Sequence, residues 1–187
     1  VFILVMAWGM KEVCTNGEFG LHTDTYLISL LGDRLSVEAL PLFVFLIASG
    51  MAFATGTSFG AMGILIPIIL PLAYAMGAYE EGNRILFWLV AAAVLDGAIF
   101  GDHCSPISDT TVLSSIASNC DHIDHVSTQV VYALTTMVIA SVAGYVAVAF
   151  GMPAGWYFLL FPLVSLGILY TAGGKVPGWE GSDVVME

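Results

Sequence analysis

The feature that most limits what this chain can fold into is a polar run at residues 101–111, GDHCSPISDTT, set between two strongly apolar segments. Residues 85–100 (ILFWLVAAAVLDGAIF) lead into it with a single charge, Asp96, and residues 112–120 (VLSSIASNC) follow as a short half-helix. A surface loop needs no such flanks. The run holds two aspartates, two serines, two threonines, His103 and Pro106 at what the flanks mark as membrane depth. An Asp at the bilayer centre costs about 2.5–3.5 kcal/mol even on the lower scales, so an acidic residue kept there is a functional candidate by default. Asp102 and Asp109 are the first candidates.

Composition places the chain in a membrane. Of its 187 residues 58% are hydrophobic and 10% charged, and the mean hydropathy is +0.92, whereas soluble domains carry about 25% charged residues. Fifteen acids against four basic residues give a net charge of −11. That balance leaves no basic face for nucleic-acid phosphates. Cys14, Cys104 and Cys120 are odd in number and lack CxxC spacing, so neither a disulfide framework nor a zinc knuckle is expected. The opening apolar run VFILVMAW is too short to cross a hydrocarbon layer of about 30 Å and lacks the flanks of a signal peptide. Residues 1–10 therefore read as the end of a truncated helix, and the chain as the carboxyl-terminal part of a longer transporter-sized protein.

Residues 11–38 are mixed and polar, a connecting loop with a possible interfacial helix at residues 26–35. Lys11 and Arg34 favour a cytoplasmic side for it under the positive-inside rule. Residues 39–170 form the transmembrane part. Within it, residues 40–54 and 61–76 are apolar arms of 15 or 16 residues separated by TGTSFG at residues 55–60. Each arm is short of the 20 or so residues that a perpendicular span requires. The pair reads either as two short spans or as a re-entrant hairpin, whose tip must be buried in protein or line a watery cavity. Pro67 and Pro71 predict a kinked second arm. Residues 77–84 form an aqueous turn, and DHIDHV at residues 121–126 turns the chain at a surface. Residues 127–150 then give a full tilted span with a small-residue face at Ala143, Gly144 and Ala147. Residues 156–170 are a last apolar segment with aromatics near both ends, and residues 171–187 a polar tail. The expected fold is an all-α integral membrane protein with about five or six membrane segments.

Two polar, glycine-containing breaks between short apolar segments point to a transport site. A helix broken at membrane depth presents backbone donors at one new end and carbonyls at the other. Hydroxyls of Thr55, Thr57, Ser58, Ser105, Ser108, Thr110 and Thr111 add the oxygen ligands that small hard cations prefer. A carboxylate among them takes either a metal cation or a proton, burial favouring the neutral form and a nearby cation the charged one. Competition between sodium and protons for Asp102 or Asp109, at a site open alternately to the two sides, is exchange. Asp96, inside the apolar helix, is the possible proton site beside them. His103, Cys104, Cys120, His122 and His125 can be assembled on paper into the zinc site of a membrane metalloenzyme, but their spacing supports it little. His122 and His125 read instead as solvated loop residues.

The phrase GDHCSPISDTT with the serines after it, then DHIDHVSTQVVYAL, resembles the signature region of the NhaC-type sodium/proton antiporter family, and TGTSFGAMGILIPIILP resembles its upstream glycine/hydroxyl motif. The resemblance covers residues 40–150. It implies electrochemically driven exchange of sodium for protons across the cytoplasmic membrane by a multi-pass secondary transporter, with no enzyme activity and no cofactor. It also implies a fold of inverted repeats, of which this chain is one half, with residues 39–76 as a re-entrant hairpin and residues 85–120 as a discontinuous helix. Carried over by position, Asp102, Ser105, Asp109, Thr110 and Thr111 become the ion site, with Thr55, Thr57 and Ser58 facing them and no metal beyond the transported sodium. Either aspartate is open as the proton carrier. The implied partners are the lipid bilayer, the missing amino-terminal half and a possible second copy in a homodimer. Exchange of sodium-linked organic acids of the malate or lactate type is the nearest alternative, although no lysine or arginine adjoins either break.

Overall fold

The computed structural model describes residues 35–80, 84–152 and 154–172, together with Val5, Gly9, Val13, Tyr26 and Ser29. The truncated helix at residues 1–10, most of the loop at residues 11–38 and nearly all of the tail lie outside the described residues. Among the described residues all regular structure is helical: α1 (Leu40–Thr55), α2 (Ser58–Ala75), α3 (Arg84–Cys104), α4 (Asp109–Ala117), α5 (His122–Ile139) and α6 (Tyr157–Ala172). A π-helical turn, Ala140–Val146, prolongs α5 into the short helical piece Ala147–Ala149.

Three helices are long and apolar enough to cross a membrane, Ser58–Ala75, Arg84–Cys104 and His122–Val146, and Leu40–Thr55 and Phe158–Thr171 are shorter apolar helices. Local chemistry sets their ends. Gly77 and Asn119 take left-handed φ values of +84° and +50°. The amide of the residue after each reaches back to Ala73 and Ser115, closing α2 and α4 with Schellman turns. Asp121 caps α5 by accepting from the amides of Ile123 and Asp124 at 2.9 and 3.2 Å. That cap starts the helix at His122, so DHIDHV is a first helical turn rather than the surface turn read from its polarity. Pro67 and Pro71 lie inside α2, which stays helical through both.

The core is built by α1, α2 and α3, with Tyr145 of the π-turn packed against it. Its most extensive contact is between α1 and α3. Gly97 and Gly101, four apart on one face of α3, make that contact possible. A Cβ on Gly97 would stand 2.9 Å from the Ala48 Cβ, and one on Gly101 would stand 2.7 Å from the Phe53 amide nitrogen. In lipid there is little hydrophobic drive between helices, so small residues that bring backbones together supply much of the association. Outside this core large apolar side chains stay exposed: Phe158 is 79% and Tyr170 91% exposed on α6.

Candidate functional site: a buried carboxyl between two polar breaks

The chain leaves helical geometry at Ser105 and re-enters it at Asp109. The break is thus shorter than the polar run that marks it in the sequence, because residues 101–104 complete the last turn of α3. TGTSFG is likewise reduced to a turn at Gly56 and Thr57, with residues 58–60 already helical. The two breaks touch. Gly56 has φ +67°, and a Cβ there would stand 2.9 Å from the Ile107 carbonyl oxygen, so glycine is required both for the left-handed turn and for the close approach. Ser105 Oγ ties the same two segments by donating to the Phe53 carbonyl at 2.8 Å.

Asp102 lies in this contact, 4% exposed. Ser108 Oγ donates to its Oδ1 at 2.8 Å, while Thr110 Oγ1 and Ser58 Oγ reach its Oδ2 at 3.1 and 3.4 Å. Ser108 stands at the N-cap of α4 yet makes no capping bond, its hydroxyl being turned to Asp102. The Ser108 and Thr110 oxygens are also 2.7 Å from each other. The links Oδ1 to Ser108, Ser108 to Thr110 and Thr110 to Oδ2 close a ring of three oxygen–oxygen contacts. Each hydroxyl has one hydrogen to donate, so two hydroxyls supply two of the three links. With Ser108 and Thr110 both donating to Asp102, the short contact between the two hydroxyls is left without a hydrogen of its own. The same oxygens form a ligand set of the kind a small hard cation prefers.

The other residues singled out from the sequence are distributed around this ring. Thr111 is buried, and its Oγ1 lies 3.5 Å from the Asp102 backbone carbonyl. Thr57 caps α2 by accepting from the Gly60 amide at 3.4 Å. Thr55 Oγ1 is exposed and donates back to the Met51 carbonyl at 2.9 Å. Asp109 is exposed in the first turn of α4, where it accepts from the Thr110 amide at 3.0 Å, a favourable place for an acid at the positive end of the helix dipole. Asp96 is on another face of α3, accepting from the Tyr145 hydroxyl at 2.9 Å.

The described histidines are engaged in structure. His103 Nδ1 is 2.8 Å from the Ile99 carbonyl, and His125 Nε2 2.6 Å from Gln129 Oε1. His122, read as a solvated loop residue, instead bridges the Pro106 carbonyl at 2.7 Å and Ser115 Oγ at 3.1 Å, pinning the break to α4. Sequence spacing gave no hint of this bridge, because it depends on α4 folding back past the break. Nor could it reveal Tyr145 as the partner of Asp96, 49 residues away. Among the described residues no three of the His, Cys, Asp and Glu side chains converge as a metal-ligand group.

The profile of the Na+/H+ antiporter family matches residues 1–150. The chain belongs to that family. A Haemophilus influenzae protein of uncharacterised function is 42% identical over 150 residues, 80% of this chain and 27% of the relative. The Bacillus subtilis malate-2H(+)/Na(+)-lactate antiporter is 41% identical over 101 residues, 54% of this chain and 20% of the relative. A second Haemophilus influenzae protein, described as an uncharacterised Na(+)/H(+) antiporter, is 30% identical over 112 residues, 60% of this chain and 22% of the relative. The chain thus spans about a quarter of the length of the curated relatives it matches. No solved structure matches it. Family membership and the apolar helices make it a membrane protein of an antiporter family, and the polar run that resembles the NhaC-type motif lies inside the matched region.

Proposed function

We propose that the chain carries the ion-exchanging part of a secondary sodium/proton antiporter of the cytoplasmic membrane, in which sodium and protons compete for Asp102. The observation that supports this most is the ring around Asp102, which lacks one hydrogen when the carboxyl is charged. A proton completes it. A sodium ion among Asp102, Ser58, Ser108 and Thr110 compensates the same charge with oxygen ligands, so the site holds one or the other. Ser105, Thr111 and Thr57 serve by fixing the two breaks around it. Asp96, beside Tyr145, is the candidate for a second proton-carrying group.

In this reading α1 and α2 act as a re-entrant hairpin and α3 with α4 as a discontinuous helix, together one repeat of an inverted-repeat transporter. The rest of a multi-pass protein, or a second copy, completes it. The test is sodium-dependent proton release in everted vesicles holding the intact protein or its Asp102→Asn form. Loss of exchange with normal membrane insertion supports the site. Undiminished exchange overturns it.

A second reading, exchange of sodium-linked organic acids, is favoured by the Bacillus subtilis relative. It needs a cationic group to hold the substrate carboxylate, and Arg84 is the one lysine or arginine among the described residues. Arg84 opens α3, about 27 Å along the helix from Asp102. Adding malate or lactate to the same vesicles separates the readings, since stimulation of proton movement by either acid belongs to the second alone.

A further inference from the structure

A second polar place lies on another face of α3. Asp96 precedes Asp102 by six residues, which on a helix is about 9 Å along the axis and about 120° around it. It opens into a groove of about 520 Å³ between α3 and α5, lined among others by Asp96, Phe100 and His103 of α3, Tyr132 and Thr136 of α5, and Phe45 of α1. Three features of this groove go together. Asp96 is exposed to it although it sits near the middle of an apolar, membrane-length helix, and among the described residues its one hydrogen bond is from the Tyr145 hydroxyl to Oδ2 at 2.9 Å. Aromatic rings are gathered beside it: Phe45 lies 5.1 Å from Tyr145 and 6.3 Å from Phe100 between ring centroids. Among the described residues no lysine or arginine lines it. His103 adds an imidazole to the lining, its Nδ1 2.8 Å from the Ile99 carbonyl.

A carboxylate and clustered aromatic rings in a mostly apolar groove are complementary to an organic cation. The ammonium head pairs with the carboxylate and is drawn to the ring faces, while an alkyl body covers the apolar wall. A sodium ion fits poorly, since the rings offer it few oxygens. We propose that the groove between α3 and α5 is a binding site for an organic ammonium ion, with Asp96 as its counter-ion, separate from the Asp102 site. The π-helical turn that carries Tyr145 fits this role, as such turns often occur at functional positions.

The test is isothermal titration of the intact purified protein with n-butylammonium, with n-pentanol as a neutral probe of like size. Saturable n-butylammonium binding that weakens about tenfold or more in Asp96→Asn, and that Ala133→Trp abolishes by filling the groove, is the expected result. Both variants are checked for a single monodisperse peak before titration. Equal binding of n-pentanol, or n-butylammonium binding unchanged in Asp96→Asn, overturns the proposal. Asp102→Asn separates this idea from the antiport reading: it is expected to keep n-butylammonium binding, and if it abolishes that binding the ammonium belongs to the Asp102 site and the groove proposal fails. Loss of sodium/proton exchange in that variant bears on the antiport reading alone.

Discussion

Asp102 and Asp109 stand seven residues apart in one polar run, and the fold gives them opposite surroundings. Asp102 closes α3 and is enclosed by hydroxyls from the break, from α4 and from the start of α2. Asp109 opens α4, faces outward and is satisfied by the amide next to it. The difference comes from where each helix ends. At the end of α3 the chain must turn against the Gly56 corner of the α1–α2 connection, which buries what lies there. At the start of α4 an acid is stabilised by the helix dipole without burial. A carboxyl enclosed by donors with one hydrogen too few is suited to trading a proton for a cation, and an exposed one at a helix start is suited to holding the helix.

The sharpest way to break this contrast is to neutralise each acid in turn. In Asp102→Asn, sodium-driven proton release in everted vesicles is expected to fall about a hundredfold or more, on the scale of removing one partner of a buried polar network. In Asp109→Asn it is expected to change by less than about threefold, since an exposed dipole interaction is worth about 0.3–1 kcal/mol. Equal loss in both variants would erase the distinction drawn here.

Gly56→Ala tests whether contact between the two breaks builds the site. The left-handed conformation costs a residue with a Cβ about 1–2 kcal/mol, and the Ile107 carbonyl stands in the way. Thermal unfolding in detergent should show the loss of stability, and half-saturating sodium should rise about tenfold. Ser108→Ala removes a link to Asp102 and the link to Thr110 together. At about 0.5–1.5 kcal/mol per net hydrogen bond, losing both raises half-saturating sodium about five- to a hundredfold. Ser58→Ala, at 3.4 Å, should raise it by about twofold, and Thr55→Ala, bonded only within α1, should leave it unchanged.

Competition also fixes the sign of the pH effect. Under the proposed alternation of protons and sodium at Asp102, half-saturating sodium must rise as pH falls, by up to about tenfold per unit where the proton dominates, as for any ligand displaced one for one. A sodium dependence that stays flat between alkaline and mildly acidic medium would rule out a shared site.

Much of the site was legible in the residues themselves. An aspartate within apolar flanks is costly wherever it lands in a membrane, so Asp96, Asp102 and Asp109 stood out before any coordinate. GDHCSPISDTT was enough to suggest the family, and the family's profile covers it. The short connection at TGTSFG was visible too, because glycine with hydroxyls between apolar arms ends a helix. The length of the breaks was less legible, since polarity does not stop a helix whose donors remain satisfied: residues 58–60 and 101–104 are polar or small and helical all the same. Asp121 as the cap of α5 was present in the sequence as an Asp before a helical run, and DHIDHV hid it by looking like a turn.

The membrane class, the helical character and the shortlist of acids follow from residue order alone, because hydropathy and the cost of a buried charge are local properties of a residue in lipid. Packing settles which acid is enclosed, that Ser108 serves Asp102 instead of capping α4, that His122 holds the Pro106 carbonyl, and that Asp96 finds Tyr145. Each of these depends on which segments the packing brings side by side. Where a hydroxyl hydrogen goes is settled by the acceptors that packing brings within about 3 Å of it, and residue order alone does not contain that distance.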